Sequence, residues 1–200
     1  MRYAFPMFPR VSIGALSILL LVSCAGNEPE ATPAVSGPAT WPQWGQNPQR
    51  TGAVNVAAQS PDRLLFETVL DPFVAQEVQS SGRGALLVHY PVPLASGDDV
   101  FLMTKSGTYT SRDDWASQEW NWKRFHWQGE NLSEVWTYRS DWKPVPPGGV
   151  LRWEPVNQAA LVGGFLYAPG GGGTLLRIDA NDGSLVARIN PFGASVNPQL

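Results

Sequence analysis

Every apolar run between residues 64 and 189 is too short to be more than a strand, and nearly every one ends in a turn cluster. The runs cover residues 64–70, 85–90, 100–103, 135–138, 159–162, 165–168, 175–178 and 185–189. Ser80-Ser81-Gly82, Ser96-Gly97-Asp98-Asp99, Pro146-Pro147-Gly148-Gly149 and Asn181-Asp182-Gly183 punctuate them. A buried helix needs an apolar stripe of period 3.6 sustained over several turns, and none longer than a few turns is present. Short runs bounded by Gly, Pro, Asn and Asp predict an antiparallel all-β fold, whether sandwich, barrel or propeller. Twenty Gly, 18 Pro and nine Trp, with only 16% charged residues, suit turn-rich sheets held by aromatic anchors rather than a helical bundle.

An ungapped internal match narrows the choice. Residues 94–109 align with 160–175, so that Gly97 meets Gly163, Val100-Phe101 meets Leu166-Tyr167, and Gly107-Thr108 meets Gly173-Thr174. Each copy reads as strand, Gly turn, strand, Gly turn, strand, which is three-quarters of a propeller blade. The spacing of 66 residues exceeds the roughly 40–50 of a usual blade. The excess is assigned to residues 110–131, read as a polar, Trp-rich insertion.

The N-terminus specifies a location. Arg2 and Arg10 precede an apolar stretch from Val11 to Val22, which closes on Leu21-Val22-Ser23-Cys24. A basic n-region, a short h-region and a small-residue cleavage site make a secretory signal, too short for a spanning helix of about 20 residues. The motif resembles the bacterial lipobox, which implies cleavage before Cys24 and lipid on its sulfur. Cys24 is the only cysteine, so the chain has no disulfide framework and no Cys-based metal site. Residues 25–40 carry three prolines and no large aliphatic residue beyond Val35, the composition of a flexible tether. Domains are therefore expected at 1–23 (signal), 24–40 (lipidated Cys and linker) and 41–200 (folded part). Removing residues 1–23 takes away two arginines and no acid, leaving 12 basic and 17 acidic residues, a net charge of −5. Without a basic block, nucleic acid is not an expected partner.

Two segments resemble a known family. Trp41-Pro42-Gln43-Trp44-Gly45, with Arg50-Thr51-Gly52 behind it, looks like the opening segment of pyrroloquinoline quinone-like (PQQ-like) β-propellers. Gly173-Thr174-Leu175-Leu176-Arg177-Ile178-Asp179-Ala180-Asn181-Asp182-Gly183 resembles that family's repeat: Gly, a strand ending in an aliphatic-Asp pair, and a turn ending in Gly. The repeat's Trp soon after the turn is missing from residues 184–190, whereas residues 132–136 supply an outgoing strand with Trp136. The resemblance implies a partial β-propeller of four-stranded antiparallel blades, two to three in number. Rings close with about four to eight blades. The chain is thus expected to be the N-terminal part of a longer protein, or one whose ring another subunit completes.

No assembled chemistry stands out. Quinone-binding members of the family use a vicinal disulfide, which a single cysteine cannot form, so no cofactor is expected. His89 and His126 lie 37 residues apart with no ligand spacing, and a metal site is not expected. Asp98-Asp99 and Asp113-Asp114 read as turn residues. Asp179–Gly183 lacks the alternating carboxylates of a calcium loop, and Gly170–Gly173 lacks the Lys-Ser/Thr of a phosphate loop. No Gly-x-Ser-x-Gly elbow is present, and no catalytic residue is assigned. Trp115, Trp120, Trp122 and Trp127 form the candidate binding surface, for stacking on sugar rings or anchoring a protein. The alternation of residues 120, 122, 125 and 127 favours burial of most of the cluster, leaving one or two ring faces. The expected function is a membrane-anchored, non-catalytic propeller scaffold on the periplasmic or extracellular face of a bacterial envelope. It would present a binding face to another envelope protein or a glycan. The alternative is the N-terminal part of a secreted quinoprotein-type oxidoreductase or sugar-acting enzyme whose catalytic residues lie beyond residue 200.

Overall fold

Every strand pair among the described residues is antiparallel, and most neighbouring strands are joined by connections too short for a parallel crossover. The computed structural model describes residues 40–54, 62–81, 90–111, 115–144 and 157–193. The signal, the tether as far as residue 39, Cys24, residues 85–89 with His89, Asp113-Asp114 and the turn at 146–149 lie outside these residues. The first sheet has the order β1 (Thr40–Trp41), β2 (Leu94–Ser96), β3 (Asp99–Gly107), β4 (Gln118–Gln128), β5 (Asn131–Ser140). The second is a four-stranded meander, β6 (Ala160–Val162), β7 (Phe165–Pro169), β8 (Leu175–Asp179), β9 (Leu185–Ile189).

Two sequence expectations are corrected here. Residues 118–128 are no insertion: they form β4, the long third strand of the first sheet, because Trp120 and Trp122 alternate with Glu119, Asn121 and Lys123 on a period of two. Residues 64–70 make no strand; Leu64, Leu65 and Val69 stay exposed, and this stretch runs on to a two-turn helix, α1 (Val74–Ser81). Asp71 caps the approach to that helix by accepting the Phe73 amide at 2.8 Å. Lys105 then fastens it to β3. Its ammonium, with the side chain only 3% exposed, lies 3.0 Å from Asp71 and 2.6 Å from Glu77.

The repeat is present in the register itself. Leu94, Ala95 and Ser96 face Phe101, Val100 and Asp99, and at a constant offset of 66 Ala160, Leu161 and Val162 face Tyr167, Leu166 and Phe165. Gly97 and Gly163 occupy the same turn with φ of 60° and 58°, a conformation in which a Cβ is strained. Gly107 and Gly173 both have positive φ, but the first ends β3 and the second ends a 3-10 turn, so the matched spacing stops there. Beyond it the correspondence resumes at an offset of 53. A bulge follows Arg124 in β4 and another follows Arg177 in β8, each opposite the last strand of its sheet.

Opposed residues of a ladder share a face, so the registers define two faces per sheet. The first sheet buries Leu94, Phe101, Met103, Trp120, Trp122 and Trp136 against Leu166, Ala168, Leu176 and Ile178 of the second. Phe101 corresponds to Tyr167, yet it is Leu166 and Ala168, on the opposite parity, that are buried. The front of the first unit therefore lies on the back of the second. Trp136 Nε1 donates to the Ala180 carbonyl at 3.0 Å across this junction. The N-terminal segment staples the same pair: Thr40-Trp41 ladders with β2, and the next residues reach β6, where Leu161 N–H donates to the Pro42 carbonyl at 2.7 Å and Gln43 bridges Ala160.

Candidate functional site

The sequence-predicted tryptophans are divided by their position on β4. Trp120 and Trp122 are 1% and 0% exposed, and Trp120 meets Trp142 edge-on at 5.5 Å, so neither presents a ring to a partner. They point to the inter-sheet face, where their area stabilises the fold. Trp115 and Trp127 are half-buried, Trp115 against the same core. Cys24 lies outside the described residues. Asp179 and Gly183 form the turn their sequence suggests, with the Gly183 amide on the Asp179 carbonyl at 2.9 Å and the Asn181 amide on Asp179 Oδ1 at 2.8 Å. Gly170–Gly173 is likewise a connection, from β7 to β8. Among the described residues no three His, Cys, Asp or Glu side chains converge to hold a metal. No helix there is long and apolar enough to cross a membrane.

Asp99 departs from its expected role as a turn residue. It opens β3, and the ladder sets it opposite His126 of β4. Asp99 takes two hydrogen bonds from the Arg124 guanidinium, Nε to Oδ1 at 2.9 Å and Nη2 to Oδ2 at 3.0 Å. His126 Nδ1 sits 2.7 Å from Oδ1. Arg124 Nη1 crosses to the second sheet and donates to the Asn181 carbonyl at 2.8 Å. Bidentate pairing of this kind is among the stronger charge-assisted geometries. Here it fixes Asp99 in place and ties β4 to the β8–β9 turn.

The same register builds a row across the whole first sheet. Thr40 faces Ser96, Ser96 faces Asp99, Asp99 faces His126, and His126 faces Ser133, so each of the five strands contributes one polar residue to one face. Thr40, Ser96 and Asp99 line a cleft of about 320 Å³ between the sheets, toward the lower end of ligand-pocket sizes. Phe101 and Leu161 form apolar wall, and Gly163-Gly164 forms the opposite lip. His126 supports Asp99 from behind the cleft. Ser133 and His126 share no hydrogen bond among the described residues, so no nucleophile–base relay is assembled and the arrangement is one for binding.

Nothing in local spacing announces this cluster. Asp99 and His126 are 27 residues apart, and only the pairing of β3 with β4 brings them together. Comparison with protein-family models gives no match for the chain, and no curated protein is significantly similar to it.

Proposed function

We propose that the chain is a membrane-anchored, non-catalytic β-propeller scaffold of the bacterial envelope, lipidated at Cys24, whose four-stranded units are blades and which offers a rigid binding face to a glycan or another envelope protein. The observation that carries the reading is the front-to-back junction of two units with one register. Two repeats related by a two-fold axis would bury the same face of each; these bury opposite faces, the relation of neighbours around a ring. A junction of this kind leaves the front of the second unit with the role that the first unit's front already fills. Arg177 corresponds to Arg124, and Phe165, under its guanidinium at 3.7 Å, corresponds to Asp99. Arg177 Nε is buried with no hydrogen-bond partner among the described residues, as suits a residue built to reach a neighbouring blade.

The test has two parts. A crystal structure of the assembled protein is expected to place a further sheet, of this chain or of another, on the Tyr167 face; two meanders meeting front to front would overturn the propeller. Cys24→Ser is expected to abolish metabolic labelling by an alkyne fatty acid and to leave the precursor uncleaved. Normal processing of that variant would remove the anchor from the proposal.

A further inference from the structure

The two units supply an internal control for the cleft. In the first unit the row reads Ser96, Asp99, His126; in the second the corresponding residues, by the offsets of 66 and 53, are Val162, Phe165 and Asp179. The repeat folds with apolar residues at the first two of these positions, so the unit does not need a hydroxyl and a carboxylate there. In the first unit Asp99 also anchors Arg124, but the Ser96 hydroxyl and one remaining Asp99 acceptor site have no partner among the described residues, and both stand at the mouth of a cleft where the two sheets and the N-terminal strand converge.

We infer that this cleft is a binding site for an uncharged, polyhydroxylated ligand, a sugar unit. The inference deepens the scaffold reading and rests on its claim that the chain binds rather than catalyses. Charge decides against ionic ligands. Asp99 would repel an anion, while the Arg124 guanidinium beside it disfavours a second cation, and every donor nitrogen group of Arg124 is already engaged by Asp99 or the Asn181 carbonyl. A carboxylate has about four acceptor sites. Three are taken here, which leaves one on Oδ2 for a ligand hydroxyl. The Thr40 and Ser96 hydroxyls have no hydrogen-bond partner among the described residues, and each both donates and accepts, as sugar hydroxyls do. Phe101 and Leu161 offer apolar surface to the C–H face of a ring. Gly163 and Gly164, with φ of 58° and 82° and no atom within 4 Å of a built Cβ, keep the opposite lip bare.

Saturation-transfer NMR on the full-length chain tests this with glucose, galactose, N-acetylglucosamine and their β-linked disaccharides, and with inorganic phosphate and putrescine as charged probes. At least one neutral sugar is expected to receive saturation, and the charged probes none. Ser96→Val copies the second unit, so the fold tolerates it, and losing one hydrogen bond to the ligand weakens binding about tenfold. Val162→Trp, at a rim position that is 60% exposed, is expected to abolish binding by filling the cleft. A blank for every sugar, stronger transfer to phosphate or putrescine, or transfer unchanged in both variants would overturn the site. Lipid attachment at Cys24 is read by a different assay and is untouched by either substitution, so failure of the cleft and failure of the anchored scaffold are distinguishable.

Discussion

The first sheet fills its side of the core with Phe101, Trp120, Trp122 and Trp136, while the second fills the facing side with Leu166, Ala168, Leu176 and Ile178. Strand length follows the same division: β3, β4 and β5 have nine to eleven residues, and β7, β8 and β9 have five each. A front-to-back junction explains why two copies of one unit look so different in composition. Each front must complement another unit's back, so large rings on one side require small residues on the other. Register, turn φ and bulge position are what the copies share, because these depend on backbone geometry rather than on side-chain volume.

The largest contrast concerns charge. The first sheet holds a buried cation, Lys105, between Asp71 and Glu77 and above the rings of Phe73 and Trp120. Replacing it with Met leaves buried carboxylates uncompensated, and we expect a loss of about 3–5 kcal/mol in urea unfolding. The second sheet's Arg188, 2.7 Å from Asp141, has a half-exposed side chain. Arg188→Met is expected to cost no more than about 1 kcal/mol. Equal losses for the two variants would break the contrast.

Volume gives the next test. A Cβ on Gly183 would come within 2.7 Å of the Trp136 ring, at a φ of 77°. Gly183→Ala combines left-handed strain with overpacking, about 2–4 kcal/mol together. In a Trp136→Leu background the ring is gone, and the same substitution should cost only the strain, about 1–2 kcal/mol. An increment unchanged by that background would show that Trp136 does not set the fit between the sheets.

The shared turns sharpen the other half of the comparison. Gly97 and Gly163 have nearly the same φ and open space where a Cβ would stand. Alanine at either is expected to cost about 1–2 kcal/mol, the two values agreeing within about 0.5 kcal/mol. Thermal or urea midpoints of the two variants measure this directly, and a clear inequality would argue against equivalent units.

How much of this was legible beforehand follows from the range of each signal. Turn residues and period-two alternation are local, so Gly97, Gly163, Gly183 and the strands at 100–103, 165–168 and 175–178 could be read directly from the sequence. Residues 118–128 have the alternation of a strand, but their Arg, Lys, Asn and Glu content, together with a repeat spacing that changes after Gly107, gives them the sequence character of an insertion. The run at 64–70 shows the converse: apolar composition does not decide pairing when Lys105 N–H donates to the Leu70 carbonyl at its far end, Phe66 packs its ring on Phe125, and Leu64, Leu65 and Val69 stay exposed. The polar row was beyond reach, because it exists only through four separate registers that no spacing encodes.

The smallest expected effect lies beside the first sheet's bulge, where Glu134 stands opposite Phe125. Hydrogen bonds from Lys123 Nζ at 2.7 Å and Thr137 Oγ1 at 2.5 Å favour its charged form and hold its carboxyl below the usual value of 4.5. A folded-state pKa lowered in this way adds stability that is fully present above the unfolded value and disappears as pH falls through the folded one. Both side chains are partly exposed to water, so the contribution is only about 0.2–1 kcal/mol. Glu134→Gln should therefore be less stable than the parent by that amount at pH 7. The gap should narrow once the pH drops below about 4.5, because the parent carboxyl is then being protonated and loses the same charge. The corresponding bulge in the second sheet has no such ion pair among the described residues, so no variant there should reproduce the pH-dependent gap. Urea titrations of parent and variant from pH 7 to pH 3 measure it, and a difference that stays constant over that range would show that packing at the bulge, not the Lys123–Glu134 charge pair, distinguishes the two sheets at this position.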